Sequence, residues 1–259
     1  MNGSTYLLSP PERSARQQEK RERLLRFLRE EIWSTPEILG QVLGLRSRQA
    51  VWKSLKQFQA EQILRHHVYV ALGGEFVVWG ITAHGQALAF HPEEEKINAT
   101  YFEPSKVSEM TIRHSLDIQR LRIAAERQGW REWRNGQNLG AMSKGMNRPD
   151  VLALDPTGMK TVLEIERTVK TVRRYRAILG DYLQRIKQGE IAKVIWVCPT
   201  KDLAHRLSRI IFGLSHVVVH GQRVPIDPNR HHMNLHFQDY DSFVNVRDYL
   251  SEEFAINYK

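Results

Sequence analysis

The chain has 259 residues, with 38 Lys or Arg, 29 Asp or Glu and a single cysteine. This length accommodates about two domains, and an apolar content of 41% excludes a wholly disordered chain. No run approaches the roughly 18 apolar residues of a membrane span, and the N-terminal stretch lacks the apolar segment of a signal peptide. The lone Cys198 excludes an intrachain disulfide and a cysteine-built zinc cluster. We therefore predict a cytoplasmic protein without membrane insertion, and the net charge of +9 indicates a polyanionic partner.

The N-terminal third has the pattern of a small DNA-binding domain. Residues 1–14, which include two prolines, are predicted to form a flexible arm. Three helices with apolar spacings of three and four follow, then two β-branched runs joined by residues 72–75, which predict a hairpin, and a last helix capped by Thr82. This order resembles a winged helix-turn-helix domain over residues 15–90, with a linker over residues 91–105.

The first turn of the third helix carries the candidate DNA contacts. In a helix-turn-helix domain this second motif helix enters the major groove. Arg48 and Gln49 have side chains suited to guanine and adenine edges, whereas Lys53 and Lys56 suit phosphates and Arg46 lies beside them. The alternatives are that this face is simply solvated or that the module mediates protein contacts.

The remaining residues, 106–259, alternate helices and strands, which predicts a mixed α+β or α/β class. The predicted elements are a helix over 107–128, strands over 130–133, 150–154 and 161–166, a basic helix over 168–188, a strand over 193–198, a helix over 201–212 and a strand over 217–219.

Three carboxylates are the densest chemical signal of this half. Strand alternation places Glu164 and Glu166 on one face with Ile165 opposite, and a turn through residues 155–158 would bring Asp150 beside them. Carboxylates converging at strand ends suit a hard divalent cation, which can activate a nucleophile against a phosphate. The alternative is a set of solvent-facing acids on an edge hairpin, although the apolar neighbours favour buried strands, where unpaired acids are costly.

Pro149-Asp150 followed by Glu164-Ile165-Glu166 is similar to the core of the PD-(D/E)xK nuclease fold. With the preceding helix, the basic helix and the N-terminal module, the chain resembles the MobC-class plasmid mobilisation relaxases and the related replication-relaxation proteins. The resemblance implies a site- and strand-specific endonuclease that nicks double-stranded plasmid DNA at a transfer origin. It implies Mg²⁺ or Mn²⁺ as cofactor, no small-molecule cofactor, and an accessory mobilisation protein and a coupling protein as partners.

One departure from this nuclease pattern is that Glu166 occupies the position of the usual lysine. Lys170 or Arg174, predicted on the basic helix, could reach back to the site. Arg173 on the same helix is a predicted contact to the DNA backbone. His114, from the opening helix, is a further candidate catalytic residue, the alternative being a histidine of the core.

Two other readings of the sequence stay open. Many relaxases use a histidine cluster with a tyrosine nucleophile, and the nearest approach is residues 231–236, which contain no histidine-apolar-histidine triplet. Separately, Tyr175 and Tyr182 lie seven apart on the basic helix, where they could approach DNA or pack between the helix and the sheet. The second is a non-catalytic DNA-binding protein, either a replication initiator or a transcriptional regulator, with a nuclease-like domain.

Overall fold

The computed structural model describes residues 9–71, 74–90, 100–140 and 146–243. The chain divides into two units, residues 1–112 and residues 113–259. Within the described part of the chain, no helix is long and apolar enough to cross a bilayer.

Unit 1 combines helices with a small antiparallel sheet. Its elements are α1 (Pro10–Glu31), β1 (Trp33–Ser34), α2 (Pro36–Val42), α3 (Arg48–Ala60), β2 (Leu64–Ala71), β3 (Gly74–Ile81) and α4 (Ala83–Leu88). The strand order is β1-β3-β2. Hydroxyls of Thr35, Ser47 and Thr82 accept hydrogen bonds from backbone N–H groups at the starts of α2, α3 and α4, because these N–H groups have no partner within their own helix.

The predicted hairpin of unit 1 is confirmed, with Leu64 paired to Ile81 and Ala71 paired to Gly74. Its turn residues Leu72 and Gly73 lie outside the described residues. The helices contribute buried apolar side chains to the core, among them Leu24, Leu28, Ile38, Leu39, Leu55 and Phe58. The apolar spacing that predicted these helices therefore identifies their buried faces.

Two predicted boundaries of unit 1 are wrong. Residues 10–14 of the expected arm form the first turn of α1, because Ser9 and Glu12 make a capping box and proline is favoured at a helix start; residues 1–8 lie outside the description. The linker predicted over 91–105 ends earlier. Phe102 is fully buried against Gly80, and its N–H donates to the Ile81 carbonyl at 2.8 Å. Residues 91–99 are not described.

Unit 2 is built on a mixed sheet with helices on both faces. Its elements are α5 (Glu109–Arg127, whose first residues fall in unit 1), β4 (Arg131–Asn135), β5 (Val151–Leu154), β6 (Lys160–Ile165), α6 (Val172–Lys187), β7 (Lys193–Cys198), α7 (Lys201–Phe212), β8 (His216–Val219), β9 (Gln222–Pro225), α8 (Pro228–His231), β10 (Leu235–Asp239) and α9 (Tyr240–Phe243). The sheet order is β10-β7-β6-β5-β4, with β10, β7 and β6 parallel and β5 and β4 antiparallel to their neighbours. The predicted mixed α+β class is thus confirmed at this level.

The sheet separates two apolar layers. One face packs against α5 through a cluster that includes Leu121, Leu163 and Ile165. The other packs against α6 and α7 through a cluster that includes Val162 and Trp196. Neighbouring residues of β6 therefore enter opposite layers, as the pleat requires.

Three details of unit 2 differ from the sequence-based expectation. The basic helix begins at Val172, because Thr171 rather than Thr168 is its N-cap. The strand predicted over 217–219 pairs with β9 in a separate hairpin. β10, which pairs with β7, was not predicted, because its short sequence follows a stretch rich in histidine, asparagine and proline that resembles a loop.

The β5–β6 turn is fixed by the carboxylate of Asp155. Its Oδ1 accepts hydrogen bonds from the Thr157 N–H at 2.9 Å and the Met159 N–H at 2.9 Å, and its Oδ2 lies 2.5 Å from the Lys193 ammonium. Burial favours the neutral acid, but Lys193 and the turn donors outweigh burial and lower the pKa of Asp155 to about 2.

We expect Asp155→Asn to lower the free energy of unfolding by about 2 kcal/mol at neutral pH. The folded pKa of about 2 lies below the usual value of 3.8, so this stabilisation exists above about pH 4 and disappears as the pH falls toward the folded pKa. Denaturant titrations of both proteins at several pH values measure it. A double-mutant cycle with Lys193→Met isolates the contribution of the ion pair. If the difference in unfolding free energy between wild type and Asp155→Asn stayed the same at the lowest pH, the proposed role of the Asp155 charge would be contradicted.

Candidate nuclease site

A cleft of about 290 Å³ in unit 2 brings together all six side chains predicted for catalysis. It is lined by residues from α5, from the segment before β5, from the end of β6, from the following loop and from α6: His114, Asn147, Arg148, Asp150, Glu164, Ile165, Glu166, Arg167, Thr168, Lys170, Arg174 and Ile178. Residues far apart in sequence thus share one polar depression, although their chemical roles stay predictions.

Strand alternation at the end of β6 places its two acids toward α6. Glu164 and Glu166 each contact a tyrosine of α6, whereas Ile165 belongs to the apolar layer against α5. The predicted shared face of the two glutamates is therefore confirmed by their contacts.

Asp150 immediately precedes β5 and joins three elements. Its Oδ2 accepts a hydrogen bond from the Ile165 N–H at 2.8 Å, and its Oδ1 lies 3.0 Å from His114 Nε2 on α5. Burial disfavours a charged imidazole, but the hydrogen bond to Asp150 and the negative charge of Asp150 outweigh burial and raise the pKa of His114. His114 is therefore both a wall of the cleft and a partner of a predicted metal ligand.

Glu164 is a buried carboxylate with neutral partners. It is 4% exposed, and its Oε1 accepts hydrogen bonds from the hydroxyl of Tyr182 and, at 3.2 Å, from the side-chain amide of Asn147. Burial and the nearby charge of Asp150 raise the pKa of Glu164 well above its usual range. The site consequently places two mutually repelling carboxyl groups at one cleft, a disposition that a cation would relieve.

Glu166 has the opposite surroundings. Its Oε2 lies 2.5 Å from the ammonium of Lys170 and accepts a hydrogen bond from the Tyr175 hydroxyl at 3.3 Å. The Lys170 N–H in turn donates to the Tyr175 hydroxyl at 2.9 Å. Lys170 therefore reaches the site from the loop before α6 rather than from the helix, which corrects its expected position.

These contacts divide the three predicted metal ligands into two kinds. Asp150 contacts His114, and Glu164 contacts the uncharged side chains of Tyr182 and Asn147, whereas Glu166 forms an ion pair with Lys170. Over the described ranges, no group of three or more His, Cys, Asp or Glu side chains is arranged to hold a metal ion. Asp150 and Glu164 are the pair that could hold a divalent cation, because Mg²⁺ commonly binds through one or two carboxylates while keeping several waters.

The two tyrosines of α6 are structural in this arrangement. Tyr175 and Tyr182 are fully buried, and burial raises the pKa of both phenols. Buried, hydrogen-bonded phenols of this kind are poorly placed to attack a phosphodiester. The histidine stretch at 231–236 forms no metal-binding group among the described residues, and His232 instead packs on the Phe212 ring at 4.4 Å between centroids.

Sequence reasoning missed four polar side chains of the cleft: Asn147, Arg148, Arg167 and Thr168. Arg148 donates to the carbonyls of Gly136 and Leu139 and so fixes the segment after β4. Arg167 forms an ion pair with Asp117 of α5. Arg148 could have been identified from the sequence, because it directly precedes Pro149-Asp150. Asn147 could not, because the sequence around it has no periodic pattern that predicts its contact with Glu164.

The predicted DNA-binding side chains are mostly exposed. Arg46, Arg48, Gln49 and Lys53 lie at or near the start of α3 and point to solvent, as does Arg173 on α6. Lys56 is also exposed, but its ammonium contacts Gln59 at 3.2 Å and stands over the Trp79 ring.

The chain matches the model of the replication-relaxation family over residues 25–194, which is more than half of its length. The protein therefore belongs to the replication-relaxation family, and this membership indicates a role in DNA replication or relaxation. The matched range includes α3 as well as Asp150, Glu164 and Lys170. No curated protein and no solved structure gave a match.

We expect Glu164→Gln to raise the free energy of unfolding in EDTA at neutral pH. The amide keeps the shape and acceptor oxygen of the side chain and is neutral without binding a proton, whereas burial and the charge of Asp150 make the ionised form of Glu164 costly in the folded protein. Denaturant unfolding measures the change, and Glu132→Gln, at an exposed position of β4, is the matched control. Equal or lower stability of Glu164→Gln would contradict the electrostatic description of this pair.

Proposed function

We propose that the protein is a divalent-metal-dependent endonuclease that nicks one strand of double-stranded DNA at a plasmid transfer origin. The observation that carries this proposal is the convergence of Asp150, Glu164 and Lys170 at one cleft, in a chain of the replication-relaxation family. The order α5-β4-β5-β6-α6-β7, together with the position of the acids at strand ends, supports a PD-(D/E)xK-like nuclease unit.

Unit 1 is proposed to be the winged helix-turn-helix module that selects the DNA. The order α1-β1-α2-α3-β2-β3 and the exposed basic start of α3 support this assignment. Arg48 and Gln49 would contact base edges, while Arg46, Lys53 and Lys56 would contact phosphates. An accessory mobilisation protein and a coupling protein are the proposed protein partners.

Asp150 and Glu164 would hold Mg²⁺ or Mn²⁺, since both carboxyl groups line the cleft and, among the described residues, neither forms an ion pair with a lysine or arginine. The bound cation would supply a water of lowered pKa and stabilise charge on the scissile phosphate. His114 and the Ile165 N–H fix the Asp150 carboxylate, and Tyr182 and Asn147 fix that of Glu164. These supporting contacts orient both ligands before DNA arrives, as in other sites with ordered supporting hydrogen bonds.

Lys170 is proposed to replace the lysine that the nuclease pattern places at position 166. Its ammonium lies at the cleft, where a point charge can offset charge that builds up on the phosphate and can orient the attacking water. Arg174 also lines the cleft and is the second cation available for this role.

Incubation of supercoiled plasmid carrying the transfer origin with the protein and Mg²⁺ or Mn²⁺ tests the activity. We expect open circles with the wild type, none with Asp150→Ala or Glu164→Ala, and none in EDTA, while DNA affinity survives in both variants because the proposed DNA contacts lie elsewhere. Nicking by Asp150→Ala at the wild-type rate would exclude this site. A wild type that binds DNA but never nicks would favour the non-catalytic initiator or regulator.

Lys170→Met is expected to lower the single-turnover nicking rate by roughly 10² to 10³, about 3 to 4 kcal/mol of barrier, with little change in DNA affinity. Lys170→Arg should recover only part of the rate, because its planar fork is larger. Lys170→Met also leaves the buried Glu166 without its ion-pair partner. The double variant Glu166→Gln/Lys170→Met removes that unpaired charge as well, and it should nick as slowly as Lys170→Met if the loss of the ammonium group is the cause. A rate for Lys170→Met within twofold of wild type would transfer the role to Arg174.

Arg48→Ala and Gln49→Ala are expected to reduce the preference for origin DNA over unrelated duplex, by about 1 to 3 kcal/mol for a lost bidentate contact. Lys53→Ala should instead weaken binding to both duplexes alike, because a phosphate contact carries no sequence information. Competition binding at fixed salt separates the two effects. A uniform loss for all three variants would place specificity outside α3.

A further inference from the structure

The β8–β9 hairpin packs its backbone directly against α6, apart from the central sheet. A Cβ at Gly180 would meet the Val218 carbonyl oxygen at 2.4 Å, so the helix and strand are in close contact at this point. One helical turn later, Gln184 lies 3.4 Å from His220. From Gly180 to Gln184 the helix advances about 6 Å, and from Val218 to His220 an extended chain advances about 6.6 Å. The same step in the opposite direction leads from Gly180 to Arg176 and from Val218 to His216, so Arg176 lies opposite His216.

This packing creates a surface that we call the hairpin patch, formed by Arg173, Arg176, His216 and Arg223. Val217 is buried in the core layer, so His216 and Arg223 lie on the opposite face of the hairpin, where they are diagonal neighbours in the β8–β9 register. Burial and the charges of Arg176 and Arg223 lower the pKa of His216.

The hairpin patch concentrates positive charge. Among the described residues, neither Arg173 nor Arg223 has a carboxylate partner, and the buried Nε of Arg176 has no hydrogen-bond acceptor. Residues 203–226 contain no Asp or Glu at all. Clusters of arginine that are not neutralised within the protein are typical of surfaces that bind phosphate groups.

The hairpin patch and the cleft both include residues from the first turns of α6. Arg174 lines the cleft, whereas Arg173 and Arg176 lie on another side of the first turns of α6, the side that carries Gly180 and Gln184 and contacts the hairpin. A duplex that crosses the first turns of α6 could therefore place phosphates at both surfaces.

We propose that the hairpin patch binds the DNA backbone beside the cleaved position, as a contact separate from the α3 surface of unit 1. The proposal rests on the proposed function, because it takes the substrate to be duplex DNA. Guanidinium groups suit this ligand, since their planar fork donates two hydrogen bonds to one phosphate. The contact is independent of base sequence and fixes where the duplex lies on unit 2.

The test measures binding of the full-length protein to a short duplex of arbitrary sequence, in EDTA, over a range of salt concentrations. Each lost phosphate contact should reduce the slope of log affinity against log salt by about 0.9. We expect such a reduction for Arg223→Ala, a larger one for Arg173→Ala/Arg223→Ala, and a near wild-type slope for Arg223→Lys, which keeps the charge. Arg131→Ala, which removes an exposed arginine from β4, is the matched control and should leave the slope unchanged.

Unchanged affinity and slope in Arg173→Ala/Arg223→Ala would overturn the proposal and leave an acidic protein as the alternative partner of this surface. Because no cleavage is needed, the result is independent of the nuclease assignment. A reduced slope together with a wild type that never nicks would support the hairpin patch and reject the nuclease.

Discussion

Burial of the Glu164 and Glu166 carboxylates beneath α6 is the constraint on which the rest of unit 2 depends. The pleat of β6 directs both side chains into a layer that also contains Val162 and Trp196, and a carboxylate removed from water needs partners. α6 supplies one partner to each through Tyr182 and Tyr175. The helix therefore cannot slide along the sheet without separating acids from hydroxyls, and the packing of the core and the geometry of the cleft are determined by the same contacts.

Two glutamates only two residues apart acquire different chemistry from their neighbours. Glu164 faces neutral donors and the charge of Asp150, so burial and this charge disfavour its ionised form and raise its pKa. Glu166 is paired with an ammonium group. In the proposed site Glu164 would hold the metal ion, whereas Glu166 holds the ammonium group of Lys170. Identity of residue type therefore does not imply identity of role, because the local charge balance decides what each carboxylate can do.

The sequence predicted the parts of this arrangement that depend on periodicity. Apolar spacing located α1, α3, α5 and α7, and alternation placed Glu164 and Glu166 opposite Ile165. The start of α6 was harder to predict, because Thr168 and Thr171 are both competent N-caps and only tertiary contacts select between them. The pairing of Glu166 with Lys170 follows from that choice. β10 was missed because five residues beside a polar loop carry too little pattern, and its partner β7 is distant in sequence.

The Tyr175 hydroxyl links Glu166 and Lys170 in a small hydrogen-bonded ring, and this ring restricts which changes the loop between β6 and α6 can accept during evolution. The hydroxyl accepts a hydrogen bond from the backbone of Lys170 and donates one to the side chain of Glu166. Both contacts can form only if the loop between β6 and α6 has its present length. Surface loops usually accept insertions and deletions at little cost. A single residue gained or lost within 167–171 would instead carry the ammonium away from its acid and shift α6 against the sheet. Among relatives of this chain, the loop should therefore vary in composition far more readily than in length.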